Sequence, residues 1–303
     1  MTSMRAEAGT EDGRIVLLDV RASYLDFADL PSILPWAGGS AAELHERLKP
    51  DGRLRNLVAT VSNPGEAITD FAVTAELERV GIDENGSYPG IRGFSGTLRA
   101  DPNGGLLDVD STNVMVTLSK YVPEPIEFDH VDGTVIWRKS GDRVTILSDA
   151  IELRNAMFDS RSNIEIGIAA DQSPVVDFAS NWSISDVATA KRFIPRGLMS
   201  SKLYDWFQDA LQSGRLVDGT ARLHGSLDRF PFDDGSGELR VEARAENLDF
   251  RYLSTFPTAR VREMSVVLSN THLYSHENRS TSSGTSSVNA QVDIRDLREP
   301  VLT

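Results

Sequence analysis

The chain has no cysteine among its 303 residues. Disulfide bridges, thiolate metal sites and a cysteine nucleophile are therefore excluded, although this absence does not fix the compartment. Long apolar runs are missing too. The first, Ile15-Val16-Leu17-Leu18, breaks at Asp19, short of the ~7–15 apolar residues of a signal peptide. No stretch reaches the ~18 apolar residues of a membrane helix. Basic residues are scarce, with 31 Lys+Arg against 45 Asp+Glu and a net charge of −14. Affinity for nucleic acid rests mainly on cations that neutralise phosphates, so no nucleic-acid partner is expected.

Catalytic signatures are equally sparse. Gly93-Phe94-Ser95-Gly96 is not a nucleophile elbow and precedes a strand. Asn103-Gly104-Gly105 lacks the helix and lysine of a phosphate loop. The histidines are His45, His130, His224, His272 and His276. His272 and His276 stand four apart, a spacing that suits two metal ligands on a helix, but the glutamate of the zinc-protease motif is missing. They read as loop histidines. Asp108 and Asp110 share a strand face and read as solvated charges. No metal, cofactor or catalytic step is expected.

What is present is a period of two. Phe71, Val73, Ala75 and Leu77 alternate with polar or small residues, as do Ile164, Ile166 and Ile168. Leu239, Val241, Ala243 and Ala245 oppose Glu238, Arg240, Glu242 and Arg244, and the apolar series continues through Leu248, Phe250 and Tyr252. Val288, Ala290, Val292 and Ile294 form the last series. Strands with one apolar and one wet face belong to antiparallel sheets. Asp51-Gly52, Asn85-Gly86, Asn103-Gly104, Asp132-Gly133, Ser140-Gly141 and Asp234-Gly235 read as turns. Gly96, Gly133 and Gly219, each followed by Thr, read as strand openings. Ser280 to Ser287 reads as a mobile loop.

Three short helices are expected, near 40–48, 185–194 and 201–213. The first has a capping box, Ser40 with Glu43, and stops before Pro50. The second starts near Ser185 and ends at Ile194-Pro195. The third is capped by Ser200 or Ser201 and places Leu203, Trp206, Phe207, Ala210 and Leu211 on one face, with Gly214 after its end. Its acidic polar face, Asp205 and Asp209, favours packing at the sheet edge over lying on a membrane. Three helices cannot hide the apolar faces of so many strands. Either the sheet closes on itself as a β-sandwich, or something outside the chain, such as lipid, occupies the face.

Ordered motifs over roughly 250 residues bear on that choice. They begin with Leu48-Lys49-Pro50-Asp51-Gly52-Arg53-Leu54 and Pro89-Gly90-Ile91-Arg92-Gly93-Phe94-Ser95-Gly96-Thr97-Leu98. Gly105-Leu106-Leu107, Asp132-Gly133-Thr134-Val135-Ile136-Trp137 and Ser173-Pro174-Val175-Val176-Asp177 follow. The most specific stretch runs from Phe193-Ile194-Pro195 through Met199, Leu203 and Trp206 to Ala210-Leu211 and Gly214. His224-Gly225-Ser226-Leu227, Phe230-Pro231-Phe232 and Gly237 complete the order. In these motifs the chain resembles the central region of the YhdP-type proteins, a branch of the AsmA-like family of Gram-negative envelope proteins.

The resemblance implies one continuous segment, residues 1–303, of a mainly β, long and curved antiparallel sheet, an elongated β-groove. It implies an interior piece of a longer periplasmic protein anchored in the inner membrane. The implied function is carriage of phospholipid between inner and outer membranes, in support of the outer-membrane barrier, with membrane surfaces or proteins met by other parts of the protein. The apolar-face residues expected to meet acyl chains are Ile164, Ile166, Ile168, Leu239, Val241, Leu248, Phe250, Val288, Val292 and Ile294. The alternative is a structural or adhesive β-sandwich of the envelope that carries no lipid.

Overall fold

A computed structural model describes residues 4–32, 39–63, 70–85, 89–196, 199–251, 255, 258–282, 285–287 and 291–299. The chain divides into two compact units. The first, Met1–Leu118 with Ile126–Ser148, holds β1 (Met4–Glu11), β2 (Arg14–Asp26), β3 (Asp51–Ser62), β4 (Asp70–Ile82), β5 (Gly90–Asp101), β6 (Gly104–Thr117) and β7 (Ile126–Ser140). β8 (Arg143–Arg154) has residues in both. The second, Ser119–Pro125 with Asp149–Thr303, holds β9 (Phe158–Ala169), β10 (Val175–Ile184), β11 (Leu211–Ser226), β12 (Glu238–Phe250), β13 (Ala259–Ser269), β14 (His272–Ser282), β15 (Thr285–Ser287) and β16 (Asp293–Ile294). The helices are α1 (Gly39–Leu48), α2 (Val187–Ala190) and α3 (Ser201–Ala210).

The strands hydrogen-bond in chain order from β1 to β15, with β16 added beside β14, and the sheet is antiparallel. The fold is mainly β and the sheet does not close, so the expected sheet is present and the sandwich is not. In the first unit the register stacks apolar side chains into rows across the strands. Val20, Ala59, Val73 and Ala100 make one row, which ends in Gly105 and Trp137. Leu25, Leu54 and Leu77 make another. Ala22, Leu25, Leu57 and Ala75 form a buried cluster with Leu30, which lies in the 3-10 turn Phe27–Ser32.

Keeping apolar residues on one face takes more than a period of two. In β3 the buried face passes from Leu54 to Leu57, in β6 from Ser111 to Val114, and in β12 from Ala245 to Leu248. Each time the spacing is three, and each time the residue before the second is an asparagine. Asn56, Asn113 and Asn247 have φ of 50°, 56° and 51°. A left-handed residue turns the strand over, and asparagine tolerates that conformation better than most side chains. The partner strands shift in step. Leu54 and Leu57 face Leu25 and Ala22, Ser111 and Val114 face Val131 and Phe128, and Ala245 and Leu248 face Met264 and Val261. The ladder register between these partners is unchanged across the kink.

Several local readings need correction. Gly96, Gly133 and Gly219 lie inside β5, β7 and β11, and Asp132-Gly133 is not a turn. At Gly219 the reason is steric. A Cβ there would stand 2.4 Å from Trp182 Cδ2, because the indole lies across the glycine that pairs with it. Gly105 serves Trp137 in the same way, at 2.1 Å. Ser280 to Ser282 continue β14 and pair with β15, where a loop was expected. α1 starts at Gly39, so Ser40 lies within it. α2 is capped by Asp186, whose carboxylate accepts from Ala188 N at 3.0 Å. α3 stops at Ala210, three residues early, because Leu211 already pairs with Phe250 as β11 begins. Gly214, at φ 125°, is a strand residue packed against Leu248 and Asn247.

The asparagine kinks predict a residue-specific stability pattern. Asn113→Gly should keep the urea midpoint within experimental scatter, whereas Asn113→Val should cost about 1–2 kcal/mol, the penalty of a left-handed branched residue. Equal midpoints for the valine chain and the native one would contradict the role given to these asparagines.

Candidate functional site: an apolar sheet face

In the second unit the register again lays out the apolar face row by row. Ile166 pairs with Val176, and Val176 with Gly225. The next row is Ile164, Phe178, Leu223 and Leu239. Beyond it come Ser162, Ser180, Ala221, Val241, Leu268, Leu273 and Ile294. Phe158, Ile184, Leu216, Ala245 and Met264 make a further row.

The opposite face is polar and paired. Arg244 meets Asp218, Glu246 and Glu263, and Arg260 donates to Asp249 at 2.9 Å. The Arg260 guanidinium, helped by the Ser213 hydroxyl, holds Asp249 below the usual carboxylate range. Such exposed pairs keep the charged face solvated and contribute little stability individually.

Two helices and a C-terminal strap cover part of the apolar face. Val187 of α2 packs on Ala245, Leu248, Val261 and Met264. In α3 the Ser200 hydroxyl accepts from Leu203 N at 3.3 Å, which fixes the first turn. Leu203 then buries itself against Ile294 and Leu297, with Leu268 and Leu273 beside them. Trp206 meets Phe250 edge-on, ring centres 5.5 Å apart. α3 therefore lies over the apolar face of β12 to β14 and the edge strand β16, where its Leu203–Trp206–Phe207 stripe finds apolar partners. Lys191 Nζ joins the helices by donating to the carbonyls of Gln208 and Leu211, the latter at 2.9 Å.

The strap is residues 291–299. Ile294, fully buried, pairs with Leu273, and Ser275 and Val292 exchange two hydrogen bonds of 2.8 Å. Arg298 spans two carboxylates, Asp233 at 2.9 Å and Asp296 at 2.7 Å. That donor set holds Asp296 at about 2.

The expected acyl-chain residues fall into two groups. Leu248 (3% exposed) and Phe250 lie beneath a helix, and Val292 and Ile294 belong to the strap itself, packed in the cluster with Leu203. Ile164, Ile166, Leu239 and Val241 are half-buried and Ile168 is 38% exposed, and none belongs to the helix-covered clusters. Val288 lies outside the described residues. Sequence reasoning passed over Phe178 and Leu223, which complete the row between Ile164 and Leu239. The even-numbered series Val176, Phe178, Trp182 and Ile184 carried the signal. It also passed over the serines on this face. Ser162 Oγ donates to Ser180 Oγ at 2.9 Å, while Ser160 Oγ is buried without a hydrogen-bond partner.

The histidines form no centre. His272 Nε2 lies 2.8 Å from Asp293 Oδ1 on the strap, and His224 Nδ1 lies 3.3 Å from Asp177. His272 and His276 are both residues of β14, not of a loop. Among the described residues no group of three potential ligands converges on a point, and no helix is long and apolar enough to cross a membrane.

A sheet that stays open, wets one face with ion pairs and, among the described residues, leaves a row of the other outside the helix-covered clusters belongs to the class of proteins that present an extended apolar surface. The family model described as YhdP protein matches residues 2–303, and the chain belongs to this family of AsmA-like envelope proteins. No curated protein and no solved structure matches it.

The strap carries a pH dependence of defined sign. Asp296 titrates lower in the folded chain, at about 2, than its ordinary value of 3.8. Its contribution is complete above the ordinary carboxylate range and is lost as pH falls toward 2. Amide exchange at Leu297, which donates to Thr271 O at 2.9 Å, should accelerate over that window beyond its intrinsic pH dependence. Asp296→Asn should remove the step.

Proposed function

We propose that this chain carries phospholipid by its acyl chains along the uncapped apolar face, as a periplasmic segment of an inner-membrane-anchored protein that moves lipid between the inner and outer membranes and so supports the outer-membrane barrier. The observation that carries this reading is the row Ile164–Phe178–Leu223–Leu239, which runs across four strands of an open sheet and lies outside the helix-covered clusters. Burying one methylene against such a surface is worth ~0.8 kcal/mol. Membership of the YhdP family supports the envelope setting. The paired charges of the opposite face keep that side in water, and the reading needs no catalytic step.

Lipid capture tests it. Purified chain incubated with phosphatidylethanolamine vesicles should retain lipid after separation, read by native mass spectrometry. Phe178→Glu or Val241→Glu should lower the retained fraction at least about tenfold, since a carboxylate there loses its water to the hydrocarbon. Arg222→Gln, on the polar face, should leave it unchanged. Native chain that never retains lipid would sink the proposal.

A further inference from the structure

Where Leu239 ends its row, the apolar face continues into a cavity of about 440 Å³. Leu239 and Leu268 form its floor, and Met199, Phe230, Pro231 and Leu297 its walls. The volume lies within the ~300–1,000 Å³ usual for ligand pockets. Its polar neighbours are largely spent. Ser200 Oγ caps α3, and Asn270 Oδ1 accepts from Leu239 N at 2.8 Å. Leu297 N donates to Thr271 O and Leu297 O accepts from Ser200 N, so this backbone too is occupied.

Arg298 at the rim faces two carboxylates, Asp233 and Asp296. One guanidinium between two carboxylates leaves no spare positive charge to draw in an anionic head. A sugar or nucleotide would leave its own polar groups unmatched among these walls. The occupant that fits is the methyl end of an aliphatic chain.

We infer that this cavity seats the end of one acyl chain, so that hydrocarbon lying along the Ile164–Phe178–Leu223–Leu239 row terminates beneath the C-terminal strap. The inference rests on the lipid reading above and adds a stopping place to it. The chain that enters is held by its tail, its head remains on the open row, and the strap with its Arg298 contacts forms the outer wall.

Two measurements on the full chain decide the matter, with cis-parinaric acid and palmitate as probes. Leu268→Trp fills the cavity. It should weaken parinaric acid binding about tenfold, the loss expected when two methylenes no longer fit, with the circular dichroism of the native chain. The absence of cysteine makes Met199→Cys a unique thiol. Saturating palmitate should slow its labelling by methyl methanethiosulfonate about tenfold, because only the empty fraction reacts. Unchanged labelling in a chain that binds parinaric acid overturns the seat and leaves the lipid reading standing, whatever the affinity of the Leu268→Trp variant. Native chain that binds no parinaric acid overturns both.

Discussion

Apolar side chains on an unclosed sheet must all emerge on one face, and that face must then be hidden from water or occupied. The first demand shapes the strands. Some strands keep a strict alternation throughout, as β9 and β10 do, whereas others turn over at chosen points. Asn56, Asn113 and Asn247 are three such points, each at φ near 50° and each just before a buried Leu or Val. Their partner strands make the same three-residue step, and the hydrogen-bond register between them survives. The glycines beneath Trp137 and Trp182 answer the same demand. A large ring lies flat on the face only where the neighbouring strand has no Cβ.

The second demand divides the face in the second unit. α2, α3 and the strap cover one part, through Val187, Leu203 and Ile294, and there the burial is nearly complete. The row led by Ile164 and Phe178 is left half-exposed. Covering and uncovering are linked, because the strap that packs Ile294 under Leu203 also supplies Leu297 to the wall of the cavity at the end of the open row. Ile294 and Leu297 anchor this strap in the cluster with Leu203, and hydrogen bonds and the Arg298 contacts to Asp233 and Asp296 add to that hold.

Much of this was legible in the residues. The alternation at Leu239–Ala245 predicts β12 and its polar reverse face, and the Leu203–Trp206–Phe207 spacing predicts α3. The resemblance predicted an open sheet, as found. What escaped were features set by partners distant in sequence. Gly214 reads as a helix terminator, yet Leu211 had a stronger claim as the partner of Phe250, and the strand displaced the last helical turn. Gly219 reads as a strand opening because its neighbour Trp182 is far away in the chain. Phe178 and Leu223 joined the site only when register set them between Ile164 and Leu239.

Sequence alone determined which side chains are apolar, how they alternate, and that no thiol chemistry is open to this protein, for these depend on composition and local spacing. It also determined the class, since period-two patterning with one wet face admits only antiparallel sheet. Tertiary structure decided which apolar residues are covered. Leu248 and Phe250 alternate along β12 as Ile164 and Ile166 do along β9, yet helices pack on the former pair, and the latter lie outside the helix-covered clusters. Burial on a sheet face depends on what lies above it, and no spacing along a single strand records that.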